Sequence, residues 1–261
     1  MDKIELTCPK SWSELTQEQL RYTFFLLSTF ADKVMVKTYM FVRFTGINVI
    51  KKNRFGWQCV YQPEGEKRKR VFYLQLWQIR SFLEQLAWVD SIEQMDNRLD
   101  VVQELEAVHP LLQEDTEHHR IITFEEYLCM EKYYQRFHST GNDDAIDVLA
   151  SFLYRNTDFS RPAELTLTPA ERLATLAWFA HVKVVMSHAF PHFFRRTESD
   201  DDISELSMLQ SFNVQLRALT DGDVTKETLV KQTDCWRALT ELDAKAREAE
   251  EFKRKYPKLT S

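Results

Sequence analysis

Histidines are the residues of this 261-residue chain whose types and spacing come closest to a metal site. His181, His188 and His192 lie in one short stretch, and two histidines four apart on a helix are a common pair of zinc ligands. Pro191 stands between His188 and His192 and should end a helix near Phe190. His181 and His188 are two turns apart, about 10.5 Å along a helix. The stretch is therefore expected to be the end of a buried core helix.

Two other groups of residues could hold a cation, but each fits a solvated loop better. His118 and His119 follow several acidic residues, and Asp200 begins a run of three aspartates. The chain contains no HExxH, GxSxG, GxxxxGK[ST] or GxGxxG motif, and its five glycines are scattered. We expect a non-enzymatic protein with no cofactor and no bound metal. A metal-dependent enzyme is the minor alternative.

A basic segment is a candidate contact for an anionic partner. It lies close in sequence to Lys51, Lys52 and Arg54, and aromatic residues are interleaved with these charges, as in nucleic-acid contacts. It fits three alternatives: nucleic acid, an acidic protein surface, or an edge strand protected from aggregation by its charges. The sequence leaves these open. The candidate residues are Lys67, Arg68, Lys69 and Arg70.

The C-terminal part is a second candidate for binding a partner. Apolar residues recur at spacings of three and four from Leu229 to Tyr256, which predicts one long amphipathic helix from about Lys226 to Tyr256. By default the apolar stripe docks on the protein's own core, and its last turns could instead project and pair with another chain. The aromatic and arginine residues after the histidine helix form a further candidate patch. The residues of these two surfaces are Phe194, Arg195, Arg196, Phe252 and Tyr256.

Composition and charge narrow the class of protein. Hydrophobic residues make up 44 %, which indicates a globular chain. The net charge of −6 argues against broad, nonspecific binding to nucleic acid. The first residues lack an apolar signal sequence, the four cysteines lack metal-binding spacing, and the most apolar stretch contains a lysine, histidines and a proline. We expect a soluble cytoplasmic protein with free thiols and no membrane contact.

Local signals predict a mainly α fold, a multi-helix globular protein with a small β-hairpin in its N-terminal half and a long C-terminal helix. Capping patterns begin helices after Thr16, Asp32, Thr123 and Thr168. The β-rich segment at about 47–74 carries Val, Ile, Trp, Tyr and Phe in two or three short runs.

The elements suggest two halves. An N-terminal helical region at 1–95 contains the hairpin, and a C-terminal helical region covers 123–261. The segment 96–122 between them is linker-like, although 99–112 could be helical. The halves are either separate domains or pack as one.

Three segments in this order resemble a known group of proteins. They are PKSWSELTQEQLRY from Pro9, ITFEEYLCMEKYYQRF together with DVLASFLYR from Ile122, and LAWFAHVKVVMSHAFPHFF from Leu176. They are similar to uncharacterised proteins encoded near tail genes in prophages and tailed phages of gut bacteria. The resemblance implies a role in phage tail or virion assembly, as a chaperone or an accessory structural protein in the host cytoplasm or on the virion. It implies phage structural proteins as partners and carries over no site residues. Nucleic acid bound by the basic segment is the alternative partner.

Overall fold

The computed structural model describes residues 4–62, 68–111, 120–195 and 205–256. These residues fold mainly as helix, as the sequence predicts. The chain divides into two compact units. Unit 1 contains residues 1–99 and 168–178, and unit 2 contains residues 100–167 and 179–261. The domain boundaries expected near residues 95 and 123 stay a prediction.

Two helices of unit 1 begin and end where local capping chemistry places them. Helix α1 (Gln17–Thr29) follows Thr16, which forms a capping box with Gln19. Helix α2 (Lys33–Thr45) begins after Asp32, whose carboxylate accepts the backbone N–H of Val34 at 2.8 Å. It ends at Gly46, where the backbone is left-handed at φ +68°.

The β segment of unit 1 is a three-stranded antiparallel sheet in the order β1-β2-β3, a hairpin extended by a third strand, and the sequence allowed for two or three strands. Its strands are β1 (Asn48–Asn53), β2 (Gly56–Tyr61) and β3 (Arg70–Gln75). Helix α3 (Leu76–Gln85) follows β3 directly. Cys59 and Leu74 are buried on one face of the sheet, whereas Gln58 and Tyr73 on the other are exposed. The alternation of strand side chains thus leaves one sheet face uncovered.

The core of unit 1 contains Trp12, which contacts rings from two other segments. Its indole stacks on Phe24 of α1 with the ring centres 5.7 Å apart and meets Trp88 edge-on at 5.0 Å. Its Nε1–H donates to the Ser91 carbonyl at 3.3 Å. The buried indole thereby keeps its polar atom satisfied.

Unit 2 contains a second small sheet, which the sequence did not predict. Strand β4 (Val101–Val102), β5 (Leu105–Ala107) and β6 (Tyr154–Arg155) pair antiparallel in that order. The helix considered over 99–112 is wrong. Residues 103 and 104 turn with positive φ, and the backbone N–H of Val108 donates to Leu153. Pairing with a strand 47 positions away is a nonlocal contact that no local pattern reveals.

Helices α4 (Phe124–Thr140) and α5 (Asp144–Leu153) pack together in unit 2, and α4 supplies the carboxylates of two ion pairs. Arg155, which is 4 % exposed, donates to Glu126 at 2.8 Å. Lys183 donates to both carboxylate oxygens of Glu131, at 2.5 and 2.6 Å. The buried groups of these two pairs, Arg155 and Glu131, therefore each have a partner of opposite sign.

Helix α6 (Pro169–Ala189) contains two of the histidines and has the predicted start and end. Thr168 forms a capping box with Glu171 before it, and the helix stops two residues before Pro191. Its residues up to 178 belong to unit 1 and the rest to unit 2. Its buried positions include Phe179, Val182 and Met186, as expected for a core helix.

The C-terminal region is a long helix, but a shorter one than predicted. Helix α7 (Glu205–Thr220) precedes a 3-10 turn, a short helix α8 (Glu227–Lys231) and the final helix α9 (Cys235–Lys255). The chain bends at Thr233, whose carbonyl accepts from Phe124, while Cys235 donates to Ile122. Asp234 then caps α9 by accepting from Arg237. These bonds to the segment before α4 override the continuous helical pattern.

Candidate binding surfaces

A two-residue turn joins β1 to β2 and shapes one end of the sheet in unit 1. The side-chain oxygen of Asn53 accepts the backbone N–H groups of Phe55 at 2.9 Å and Gly56 at 3.1 Å. It also accepts the hydroxyl of Tyr73 at 2.8 Å. Asn at the first position and Gly at the fourth are typical of the commonest β-turn. One amide therefore holds both the turn and an aromatic ring of β3.

Gly56 permits the close approach of β3 to this turn. Its φ is +155°, and a Cβ atom at this position would lie 2.0 Å from the carbonyl oxygen of Leu74. No real side chain tolerates such a distance, so only glycine fits. The N–H of Leu76, the first residue of α3, then donates to the Phe55 carbonyl at 3.1 Å. The turn and the start of α3 are thus held together.

Between the β1–β2 turn and the start of α3 lies an open cleft of about 520 Å³, which we call the aromatic cleft. Phe55 is 63 % exposed and Trp77 is 65 % exposed, both unusual for large aromatic rings. Tyr73 and Leu76 are also exposed. The lining residues are Arg54, Phe55, Tyr73, Gln75, Leu76, Trp77 and Arg80.

The exposed rings of the aromatic cleft are held in place by hydrogen bonds at their edges. The Trp77 Nε1–H donates to the side-chain oxygen of Gln75 at 2.6 Å, and the Tyr73 hydroxyl donates to Asn53. The guanidinium of Arg54 lies 4.6 Å from the centre of the Phe55 ring, a cation–π distance. The rings are therefore oriented surfaces that a ligand can stack on.

The sequence segment that forms the aromatic cleft is strongly cationic. Residues 46–83 contain eight Lys or Arg and two Glu, a net charge of +6 in a chain whose total is −6. Both glutamates fall in 63–67, outside the described residues, so the described part of this region contains no acidic residue. Its cations are Lys51, Lys52, Arg54, Arg68, Lys69, Arg70 and Arg80.

The structure describes three of the four residues predicted for the basic segment. Arg68 and Lys69 are exposed and precede β3, and Arg70 begins this strand opposite Tyr61. Lys67 lies outside the described residues. The sequence prediction counted Phe55 and Tyr73 among the aromatic residues interleaved with the basic segment, but it missed Trp77 and Arg80 as members of the same site. Two features of the sequence indicate this site. They are the Asn-x-x-Gly turn pattern and the absence of Asp and Glu on both sides of 63–67.

The second surface is the end of α9, which we call the C-terminal stripe and define as Phe252 and Tyr256. Leu239 and Leu242, earlier in the helix, are buried. Phe252 is 51 % exposed and Tyr256 is 41 % exposed, with their ring centres 5.1 Å apart. Of the predicted stripe, Leu229 lies on α8 instead and is 70 % exposed. The last turns of α9 thus carry two exposed aromatic rings.

The turn after α6 is fastened to α9 by charged side chains. Asp243 accepts the backbone N–H groups of His192 at 2.8 Å and Phe193 at 3.0 Å. Glu250 binds Arg195 at 2.8 Å and His192 Nδ1 at 3.0 Å. These hydrogen bonds, that of Arg195 first, lower the pKa of the Glu250 carboxyl. His192 and Arg195 therefore position the turn on α9.

The other residues predicted for the surface after α6 are Phe194 and Arg196. Phe194 is half-buried and meets Phe193 edge-on with ring centres 4.7 Å apart. Arg196 lies outside the described residues. Phe190 is buried and packs against Trp236 of α9. The half-buried Phe194 presents less surface than Phe252.

Reactive groups elsewhere are shielded. Cys8, Cys59, Cys129 and Cys235 are free thiols, and burial raises the pKa of each, that of Cys8 to about 11. Within the described ranges, no group of three His, Cys, Asp or Glu side chains is placed to hold a metal ion. His118 and His119, and the aspartates from Asp200, are outside those ranges. None of the described helices has the length and apolar character needed to span a bilayer.

Comparison with known proteins gave no match: no protein-family model matches the chain, and no curated protein or solved structure is significantly similar to it.

Proposed function

We propose that this chain is a non-enzymatic binding protein of phage virion assembly, acting as a tail-assembly chaperone or accessory structural protein. The observation that carries the binding role is the uncovered C-terminal stripe. Phe252 and Tyr256 are exposed in the last turns of the helix whose earlier residues Leu239 and Leu242 are buried, and exposed aromatic side chains are frequent anchors of protein–protein contacts. The partner would cover these rings.

The phage setting rests on the resemblance of the three helical segments to prophage and tailed-phage proteins. In that setting the partners are structural proteins of the tail, and binding takes place in the host cytoplasm while the virion is assembled. The described structure supports the fold that those segments imply, because each contributes a capped or buried helix. The mechanism is surface burial, with no chemical step.

Co-expression with the products of neighbouring genes tests the proposal. We expect the tagged protein to co-elute with a tail tube, tape-measure or other tail protein in size-exclusion chromatography. Phe252→Ala/Tyr256→Ala should weaken the complex at least about 30-fold, since buried aromatic anchors carry most of the binding free energy. Phe55→Ala/Trp77→Ala removes exposed aromatic rings from unit 1 and should leave the complex intact.

Two results would contradict the proposal. One is that no neighbouring tail protein forms a complex with the chain. The other is a complex that survives Phe252→Ala/Tyr256→Ala unchanged. A nucleic-acid-binding accessory role is the alternative function, and the cationic region around β1 to β3 is the observation that favours it.

A further inference from the structure

We propose that the aromatic cleft of unit 1 binds single-stranded nucleic acid. Its exposed rings would stack on unpaired bases, and the cations of the surrounding sheet would hold the phosphates. The inference concerns a different surface from the C-terminal stripe and does not depend on the proposed assembly role.

Charge complementarity identifies the ligand as an anion with many charges. The region from 46 to 83 carries +6 within a chain of −6, so the positive charge is concentrated where the rings are exposed. Arg54 and Arg80 line the cleft itself. The cations of β1 and the start of β3 extend over the neighbouring sheet. A polyanion that crosses this surface would displace condensed counterions, which is the main source of affinity for nucleic acids.

The exposed rings distinguish a single strand from a duplex. Bases in a duplex are stacked on one another, so a duplex would contact the cations and leave Phe55 and Trp77 uncovered. Unpaired bases stack on aromatic rings and on arginine planes. Trp77 and Tyr73 are held by hydrogen bonds at their edges, so their orientation requires little ordering on binding.

The same rings argue against an acidic protein segment as the ligand. Carboxylates would pair with Arg54 and Arg80 but would not use the aromatic faces between them. The cleft volume of about 520 Å³ lies within the range of sites for ligands of nucleotide size. Arg54, already stacked on Phe55, offers a planar cation for a base as well.

Fluorescence anisotropy with a labelled oligothymidylate of about 20 nucleotides tests the proposal, because this length exceeds the site size of typical single-strand binding folds. At about 50 mM salt we expect the full chain to bind, with affinity that falls steeply as salt rises. Phe55→Ala/Trp77→Ala should weaken binding at least about 25-fold and leave the salt slope unchanged. Trp77→Phe keeps a stacking ring and should retain most of the affinity.

Replacing the cations should change the salt dependence of binding. Arg54→Ala/Arg80→Ala should reduce the slope of log K against log salt by about 1.4, since each phosphate contact of a single strand contributes about 0.7. Arg136→Ala/Arg247→Ala removes two exposed cations from unit 2 and should change neither affinity nor slope. Phe252→Ala/Tyr256→Ala should also bind as the unchanged protein does. Circular dichroism confirms that each variant is folded.

Three outcomes would overturn the proposal. The first is no binding of the oligonucleotide at about 50 mM salt. The second is equally tight binding of a duplex of the same length with no effect of Phe55→Ala/Trp77→Ala, which would indicate contact by charge alone. The third is displacement of the oligonucleotide by polyglutamate at equal charge concentration, which would indicate an acidic protein partner. None of these outcomes would contradict partner binding by the C-terminal stripe, because the two sets of variants share no residue.

Discussion

At the scale of single residues, Asn53 and Gly56 determine the form of the aromatic cleft. The side chain of Asn53 holds the backbone of the turn and the hydroxyl of Tyr73. Gly56 removes the Cβ atom that would separate β3 from the turn. Both are positioning residues, and the rings they place are exposed.

Replacing Gly56 with alanine should destabilise the sheet. The added Cβ would lie 2.0 Å from the Leu74 carbonyl, so β3 must move, at a cost of about 2 kcal/mol or more in the free energy of unfolding. Gly46→Ala is the matched control, because Gly46 also has positive φ but open space around it. It should cost only about 1 kcal/mol. Urea denaturation compares the two, and an equal loss would refute the role of close approach.

The Arg155–Glu126 pair should make a large contribution to the stability of unit 2. Glu126→Gln leaves the buried guanidinium of Arg155 without a counter-charge, which we expect to cost about 3 kcal/mol. Glu125→Gln, at an exposed neighbouring position in the first turn of α4, should change stability by less than about 0.5 kcal/mol. Denaturant midpoints measure both. Similar midpoints would mean that solvent screens Arg155 after all.

Cys8 should react slowly with alkylating reagents. Burial raises the pKa of its thiol from an ordinary 9.0 to about 11, so at about pH 8 its thiolate fraction is about 100-fold lower than that of a free cysteine. The higher nucleophilicity of such a thiolate recovers about tenfold. We therefore expect iodoacetamide to modify Cys8 at least about tenfold more slowly, with the difference shrinking as pH rises towards 11. Mass spectrometry follows the reaction, and a rate like that of free cysteine would show an accessible thiol.

At the scale of elements, the burial of apolar side chains on α9 decreases along its length. Its first half buries Leu239 and Leu242, and its last turns expose Phe252 and Tyr256. From residue 242 to 256 the helix rises about 21 Å. One amphipathic element therefore serves the core at one end and is available to a partner at the other.

Alanine substitutions in the two halves of α9 should differ in their effect on the free energy of unfolding. Leu242→Ala removes a buried side chain and should lower the free energy of unfolding by about 2–5 kcal/mol. Phe252→Ala removes a larger side chain from an exposed position and should lower it by less than about 0.5 kcal/mol. Thermal or urea unfolding of the isolated protein distinguishes them. A large loss for Phe252→Ala would mean that the stripe is covered in solution.

At the scale of the whole molecule, the distribution of charge matters more than its total. A net charge of −6 alone argues against a polyanion-binding protein. Residues 46–83 nevertheless carry +6, so the rest of the chain carries −12. A ligand that approaches the sheet meets local cations, and these act over only about 8 Å in physiological salt.

Chromatography on immobilised heparin tests this distribution. We expect the protein to be retained at low salt despite its acidic composition. Lys67→Ala/Arg68→Ala/Lys69→Ala/Arg70→Ala should elute at distinctly lower salt, because it removes half of the eight cations of residues 46–83. Arg247→Ala/Lys253→Ala/Arg254→Ala/Lys255→Ala also loses four cations but in α9, and should elute like the unchanged protein. Identical shifts for both variants would show that only net charge matters.

The amino-acid sequence by itself determined the local features of this protein. The starts of α1, α2, α4 and α6 are predictable because capping bonds join residues two or three apart. The end of the histidine helix before Pro191 is predictable because proline lacks the N–H that the helix needs. The mainly α class follows from the same local periodicities.

Only the tertiary structure decided the nonlocal features. The pairing of β5 with β6 and the bend at Thr233 depend on hydrogen bonds to residues far along the chain, and these overrode the helical patterns over 99–111 and at the break between α8 and α9. The aromatic cleft unites residues 54 to 80 because three strands bring a turn and the start of α3 together. The uncovered end of α9 has the same periodicity as its buried half. Burial depends on which neighbours are present in space, and a periodic sequence specifies a face without specifying what covers it.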